Sequence, residues 1–191
     1  TGFALNADFS GAGNCNTNGY TYVAWQWQAN KGSSSSNTNG SITSTVSANT
    51  TAGFSVVTYT GSGALATVGH GLGVAPNMII WKNRSSVQNW VTYHSSLGAA
   101  GNVYLNLTNA YSADSTTQNN TAPTSSVFTV ATSNAVNGST NSIVAYCWAA
   151  VPGFSAFGSY TGNGSADGPF VYTGFRPRWI MAKDITNITS A

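Results

Sequence analysis

The sequence contains one stretch twice, and this internal repeat is the strongest constraint on its fold. Residues 53–83 read GFSVVTYTGSGALATVGHGLGVAPNMIIWKN, and residues 153–184 read GFSAFGSYTGNGSADGPFVYTGFRPRWIMAKD. Both copies begin Gly-Phe-Ser, pass through Tyr-Thr-Gly and a Gly-x-x-Pro step, and close with a lysine, in the same order. Tyr59 and Tyr160 lie 101 positions apart. One unit is therefore about a hundred residues, which is a normal size for a small domain.

A second match defines how the units are divided. Tyr22–Trp27 (YVAWQW) corresponds to Ile143–Trp148 (IVAYCW), at the end of the unit rather than at its start. The sequence therefore predicts four segments. They are the last strands of one module (1–30), a Ser/Asn-rich linker or inserted hairpin (31–52), a complete module (53–152) and the first strands of a following module (153–191). This division predicts that the chain is part of a longer protein.

Short apolar runs alternate with Gly, Asn, Ser and Pro clusters, which is typical of strands joined by turns. No stretch has the period of an α-helix over a useful length. The predicted strands are Gly2–Leu5, Tyr20–Gln28, Phe54–Thr60, Leu65–Val68, Met78–Lys82, Trp90–His94, Tyr104–Leu107, Phe128–Ala131 and Ser142–Ala149, with a long polar loop at Tyr111–Pro123. About seven short strands in a hundred residues predict an all-β fold, an antiparallel β-sandwich of jelly-roll-like modules.

The charge content is low, and this limits the classes of partner that the chain is expected to bind. The chain has four acidic residues, all Asp, against six Lys and Arg, for a net charge of +2. Six scattered cations form no stripe that could displace phosphate counterions, so the sequence predicts no nucleic-acid partner. No apolar run approaches the roughly 20 residues that cross a bilayer, and no basic amphipathic helix is present, so it predicts no membrane partner. Cys15 and Cys147 match no metal-binding spacing; two free thiols and a disulfide both remain open.

Catalytic chemistry finds little support in the sequence. Glycoside hydrolysis needs two carboxyl groups around the bond, and the four aspartates are far apart in the sequence. Neither histidine has an acidic neighbour in sequence, and a zinc site built on two histidines would lack its third protein ligand. Each loop that could bind calcium offers a single carboxylate. The residues concerned are Asp8, Asp114, Asp167, Asp184, His70 and His94. The sequence predicts no enzyme, no catalytic or metal-binding residue and no cofactor.

Aromatic residues near amide-rich loops are the better candidates for a binding site. Sugar rings stack on Trp and Tyr, and their hydroxyls suit Asn, Gln and Ser. On this basis Trp90, Tyr93 and Tyr111 are predicted glycan contacts. The alternative for aromatic residues in this sequence is that they fill cores, as the repeat suggests for Phe54, Tyr59, Phe128, Tyr146 and Trp148.

Several segments resemble a known family. They are GFSVVTYTG at 53–61, VGHGLGVAP at 68–76, PTSSVF at 123–128, IVAYCW at 143–148 and YTGNGSADGPFVYTGFRP at 160–177. These segments are similar to the tandem β-rich modules of tail-fibre and other virion surface proteins of tailed bacteriophages, common among marine phages. The resemblance covers nearly the whole chain apart from the Ser/Asn-rich stretch, and it brings no catalytic residues with it.

The resemblance implies a structural component of a virion appendage, located on the virion surface or extracellularly, that contacts host glycans. Its implied partners are other virion proteins and further copies of itself, in a trimer or another symmetric assembly. Apart from the resemblance, the two end fragments contain complementary strands of the module, which predicts that they complete one another, either within one chain or by strand exchange between neighbouring chains. A secreted or cell-surface bacterial carbohydrate-binding module or filament subunit is the alternative. A polysaccharide depolymerase is a third class, and it would need a carboxylate pair built from Asp114 and Asp167 or from another chain.

Overall fold

The computed structural model describes residues 4–5, 15–30 and 32–186. The described residues form ten strands and two single-turn helices. The strands are β1 Ser35–Asn37, β2 Ser44–Asn49, β3 Phe54–Thr60, β4 Ala66–Gly69, β5 Met78–Asn83, β6 Val91–His94, β7 Gly101–Tyr104, β8 Ser112–Ala113, β9 Val127–Val130 and β10 Ser142–Trp148, and the helices are α1 Ser115–Gln118 and α2 Asn134–Asn137. The prediction of an all-β antiparallel sandwich is confirmed.

The strands form two sheets of unequal size. The main sheet has eight strands in the order β1-β2-β3-β10-β5-β6-β7-β8, and β4 and β9 form a two-stranded sheet. All pairs of named strands are antiparallel. The last strand in sequence, β10, therefore lies between β3 and β5. Trp148 at its end is opposite Phe54 of β3 and Met78 of β5.

Alternation along the central strands gives the main sheet two apolar faces. In β10, Ile143, Ala145 and Cys147 point to the inner face, toward β4 and β9, and are completely buried. Tyr146 and Trp148 point to the other face, where they pack with apolar residues of β3 and β5. Since strands that are apolar on both sides need cover on both sides, the main sheet requires two layers of contacts.

The core fills the space between the two sheets. Phe128 of β9 is fully buried. Its ring lies edge-on to Trp81 of β5 at a centroid distance of 5.5 Å, and 6.1 Å from the ring of Tyr59 in β3. Such edge-to-face pairs contribute beyond the area that they bury. Aromatic side chains therefore pack the small sheet against the middle of the main sheet.

Buried amide and hydroxyl groups hold α2 in place. The Tyr59 hydroxyl donates a hydrogen bond of 2.5 Å to the Val136 carbonyl, and Asn83 Nδ2 donates one of 2.7 Å to the Asn134 carbonyl. The fully buried Asn137 side chain donates to the carbonyls of Ala131 and Ala64. These bonds satisfy carbonyls that a single helical turn cannot pair by itself.

The loop after β4 contains a buried histidine with a structural role. The Leu72 N–H donates to His70 Nδ1 over 3.2 Å, so the proton of the neutral ring is on Nε2, which donates to the Thr124 carbonyl over 3.1 Å. Burial lowers the pKa of His70, and the bond to Thr124 offsets this only in part. His70 therefore joins the β4 loop to the loop before β9 as a neutral imidazole.

The Ser/Asn-rich stretch is a hairpin of the main sheet. β1 and β2 pair with each other, and β2 pairs with β3, with Val46 opposite Val57. Val46 enters the core, and the Ser44 hydroxyl donates to the Gly69 carbonyl over 2.8 Å. Of the two alternatives for this stretch, the hairpin describes residues 35–49, and the flexible linker does not. Its backbone ladder with β3 compensates for its few apolar side chains.

Two predicted strand regions differ from the structure. Tyr20–Gln28 and the described part of the fourth segment, residues 153–186, form no strand; the single bridge there joins Val151 and Ser155. Both regions are largely exposed. The prediction is wrong for these residues, because the corresponding strands of the complete module are paired on both edges and these segments have no such neighbours. The predicted strand Gly2–Leu5 falls mostly outside the described residues.

The observed position of β7 differs from the predicted one. The strand occupies Gly101–Tyr104 instead of Tyr104–Leu107, and Leu105 and Leu107 are exposed. A Cβ at Gly101 would lie 2.1 Å from the Ser112 carbonyl oxygen, so glycine allows β8 to approach β7 closely. The predicted loop at Tyr111–Pro123 contains β8 and α1.

We expect Tyr59→Phe to lower the free energy of unfolding by about 1–3 kcal/mol, because the buried Val136 carbonyl loses its partner. Urea unfolding of the full chain measures this. Tyr160→Phe, at a tyrosine that is 59 % exposed, is the matched control and should change stability little. Equal losses in the two variants would contradict the role given to the Tyr59 hydroxyl.

We expect stability to fall as the pH drops below about 6.5, the ordinary pKa of an unfolded histidine, toward the lower pKa of folded His70. Protonation favours the unfolded chain, because Nδ1 of the buried His70 ring accepts a hydrogen bond from the Leu72 N–H and cannot accept it once protonated. His70→Gln should remove this loss. His94→Gln is needed as the comparison, since burial also lowers the pKa of His94. An unchanged pH dependence in His70→Gln would disprove the assignment.

Candidate functional site

The carboxylate best placed for chemistry, Asp114, serves as the N-cap of α1. Its Oδ1 accepts hydrogen bonds from the Thr116 N–H and hydroxyl, and its Oδ2 accepts from the Thr117 hydroxyl and Asn102 Nδ2. Burial raises the pKa of Asp114, but these hydrogen bonds together hold it below its usual value. A carboxylate kept ionised in this way is a poor general acid.

Among the residues that the structure describes, the other ionisable groups do not cluster into a metal-binding or acid–base arrangement. Asp167 lies in an exposed turn, where its N–H donates to the Ser165 hydroxyl. Cys147 is buried inside the core, and burial raises its pKa to about 12, so it is no nucleophile. Within the described ranges, no group of three or more His, Cys, Asp or Glu side chains could hold a metal ion. In the same part of the chain, no helix is long and apolar enough to cross a membrane.

A second apolar cluster, mostly buried, lies on the face of the main sheet that points away from β4 and β9, here called the outer face. Apolar and aromatic side chains occupy its centre. They are Phe54, Val56, Met78, Ile80, Trp90, Tyr146 and Trp148. In register, Val56, Tyr146 and Ile80 form one row across three strands, and Phe54, Trp148 and Met78 form the next. The outer face is thus a continuous apolar stripe.

Polar residues without carboxylates border this stripe. The rows end at Ser47 and Asn49 on β2, and at Thr92 and His94 on β6. Lys82, on β5, is the one cation on these strands. An apolar centre with a rim of hydroxyl and amide groups resembles the surfaces that bind proteins or sugars more than it resembles a catalytic cleft.

The two end segments meet at one end of the outer face. The ring of Trp27 lies 5.6 Å from that of Trp148 and 6.3 Å from that of Phe54. On its other side, the Trp27 ring lies 5.6 Å from that of Trp179 in a T-shaped arrangement. The ring of Phe157 approaches His94 at 6.2 Å. The end segments therefore cover part of the apolar stripe with aromatic side chains.

Trp90 lies at the opposite end of the outer face, directly before β6. The backbone N–H of Trp90 donates to Asn106 Oδ1 over 2.9 Å, and Asn106 Nδ2 donates to Asn89 Oδ1 over 3.0 Å. The ammonium of Lys82 lies 5.7 Å from the centroid of the Trp90 ring and donates to the Gln88 carbonyl. The half-buried indole is thus held in position among amides, with a cation against it.

The three predicted glycan contacts do not form one site. Tyr93 is only 5 % exposed and belongs to the inner core, and burial raises its pKa. Its position on β6 explains this, because it alternates with Thr92 and His94 and so points to the inner face. Tyr93 cannot stack on a sugar there, and this part of the prediction is wrong.

Tyr111 lies at the edge of the main sheet, just before β8. Its N–H donates to the Ile185 carbonyl over 3.0 Å, and its ring lies against Gly101. A surface depression beside it is lined by Ser96, Leu97, Ala110, Tyr111, Ile185 and Thr186. The C-terminal segment thus contributes to the surroundings of Tyr111, which stands apart from Trp90 beyond strand β7.

The sequence did not single out the outer face, although its pattern was visible. Phe54, Val56, Tyr146 and Trp148 alternate with the inward residues on β3 and β10, so both faces of these strands are apolar. That pattern signals a sheet that is covered on both sides.

Comparison with known proteins identifies the family of the chain. No curated protein and no solved structure matches it. The profile of one family, described as "Domain of unknown function (DUF7483)", matches residues 1–190. Because this match spans almost the entire sequence, the chain belongs to the DUF7483 family.

Proposed function

We propose that this chain is a structural module of a virion surface appendage, such as a phage tail fibre or spike, and that it contacts glycans of the host surface. The outer face is the observation that carries the proposal. Phe54, Met78, Ile80 and Trp148 are buried there, partly under the end segments, while Val56, Trp90 and Tyr146 stay half-buried, and the rim carries hydroxyl and amide groups and no carboxylate. Such a face suits assembly and adhesion.

The arrangement of the ionisable groups supports a structural role over an enzymatic one. Asp114 has its oxygens engaged in capping α1, and His70 has both ring nitrogens engaged in the fold. A depolymerase built on Asp114 and Asp167 would have to release the first of these from its cap. The low charge of the chain also suits a surface that must stay free of strong long-range fields.

Trp90 is the best candidate for the glycan contact. An indole ring offers a flat apolar surface to the C–H side of a sugar ring, and the side chains of Asn89 and Asn106 next to it supply donors and acceptors for hydroxyls. Lys82 adds a positive charge that suits acidic polysaccharides. The same geometry favours the alternative, a bacterial carbohydrate-binding module, so the location of the protein must separate the two.

We expect the full chain to bind saturably to surface polysaccharide of suitable host bacteria, and Trp90→Ala to weaken this binding by about tenfold, or 1.4 kcal/mol. Leu65→Ala is the control, since Leu65 is 60 % exposed directly before β4, in the small sheet and outside both end segments. Binding to immobilised polysaccharide measures the effect. Binding that survives Trp90→Ala unchanged would overturn the site, and no saturable binding to any envelope would overturn the adhesive role.

Peptides of this chain in purified virions, detected by mass spectrometry, would support the virion location. Their presence in bacterial culture supernatant or cell-wall fractions without virions would favour the bacterial alternative. This measurement is independent of glycan binding, so either part of the proposal can fail alone.

A further inference from the structure

The topology shows which strand completes the module. β10 fills the place between β3 and β5, and it pairs with both along its length. Trp148 faces Phe54 and Met78, and Tyr146 faces Val56 and Ile80. Without β10, the main sheet would separate into two parts, each with an unpaired apolar edge.

The end segments carry the same three strands, divided between the two ends of the chain. Tyr22–Trp27 matches the sequence of β10, and residues 153–184 match those of β3 to β5. Transferring the register of the module places Trp27 opposite Phe154 and Trp179. It places Trp25, which corresponds to Tyr146, opposite Met181, which corresponds to Ile80. The N-terminal segment thus has the sequence of a central strand, and the C-terminal segment has that of its two neighbours.

Within one chain, the two end segments do not form these strands. Neither segment forms a ladder among the described residues, and the side chains whose counterparts are buried in the module are exposed. The exposed fraction is 82 % at Val23 and 75 % at Ile180, whose counterparts Val144 and Ile79 are buried, and 65 % at Trp25, whose counterpart Tyr146 is half-buried. Trp27 and Trp179 are already in ring contact, yet their backbones do not pair. The two end segments therefore contact each other within one chain, but this contact does not form the strands that would complete a sheet.

We propose that the partner of these segments is a second copy of this chain, whose Tyr22–Trp27 inserts as a strand between residues 154–160 and 179–184 of the first. Main-chain hydrogen bonds on both edges would supply the affinity, and the alternating aromatic side chains would supply the register. Each copy carries one donor strand and one acceptor, so the contact is heterologous and propagates head to tail into a ring or a filament. This names the partner of the appendage module and rests on that proposed function.

The test uses two versions of the full chain in a Cys15→Ser background, each with one introduced cysteine, Trp25→Cys or Met181→Cys. Cys147 is retained, because it is fully buried. Directly opposed residues of antiparallel strands have Cα atoms about 4.5–5.5 Å apart, which a disulfide can bridge. Mixing the two versions under mild oxidation should give a species of twice the 19.7 kDa chain mass, with peptides 25 and 181 linked.

Trp25→Cys mixed with Val87→Cys is the matched control, because Val87 is 99 % exposed and lies outside both segments. We expect the 25–181 link to exceed the 25–87 link by about tenfold. Equal yields would overturn the proposal. A 25–181 link that forms only inside monomers of the double variant would overturn it in favour of pairing within one chain.

Polysaccharide binding by the same samples keeps the two proposals distinct. A 25–181 link without glycan binding would leave self-association standing and remove the adhesive role. Glycan binding without the link would do the reverse.

Discussion

The structure depends on the two-sided pairing of β10. This strand is the last to be synthesised in the module and the most central in the sheet, so contacts between distant parts of the sequence must form before the sheet is complete. Its side chains reach both faces, with Ala145 and Cys147 in the inner core and Trp148 on the outer face. The small sheet and the helices cover one face, and aromatic side chains of the end segments cover part of the outer face.

The sequence predicted the central strands well, because their signals are local. The predicted strand Phe54–Thr60 is β3, and Met78 and Ser142 begin β5 and β10 as expected. Alternation of large apolar residues over seven positions leaves few other choices. In contrast, β1 and β2 consist mostly of Ser, Thr and Asn, and they are strands because β3 offers an edge to β2, which in turn pairs with β1. No local pattern contains that information.

The site was harder to predict for the same physical reason. Which face a residue of a short strand occupies depends on register, and a shift of one position reverses every side chain. Tyr93 is therefore in the core, while the nearby Trp90 is not. The single turn α1 has no helical period, and its one sequence signal is Asp114 in the position of an N-cap. The internal repeat identified the end segments as partial modules. The register proposed for their pairing came only from the structure, which places β10 between β3 and β5.

The most direct measurement is amide hydrogen exchange of the full chain over a range of protein concentrations. Residues of β10 should exchange slowly at every concentration, as expected for a strand paired on both edges. Residues 20–28 and 179–184 should exchange fast in dilute solution and slow down as the concentration rises, because we propose that their partner is another copy. Fast exchange of the end segments at all concentrations would contradict the account, and so would slow exchange of these segments in dilute monomer.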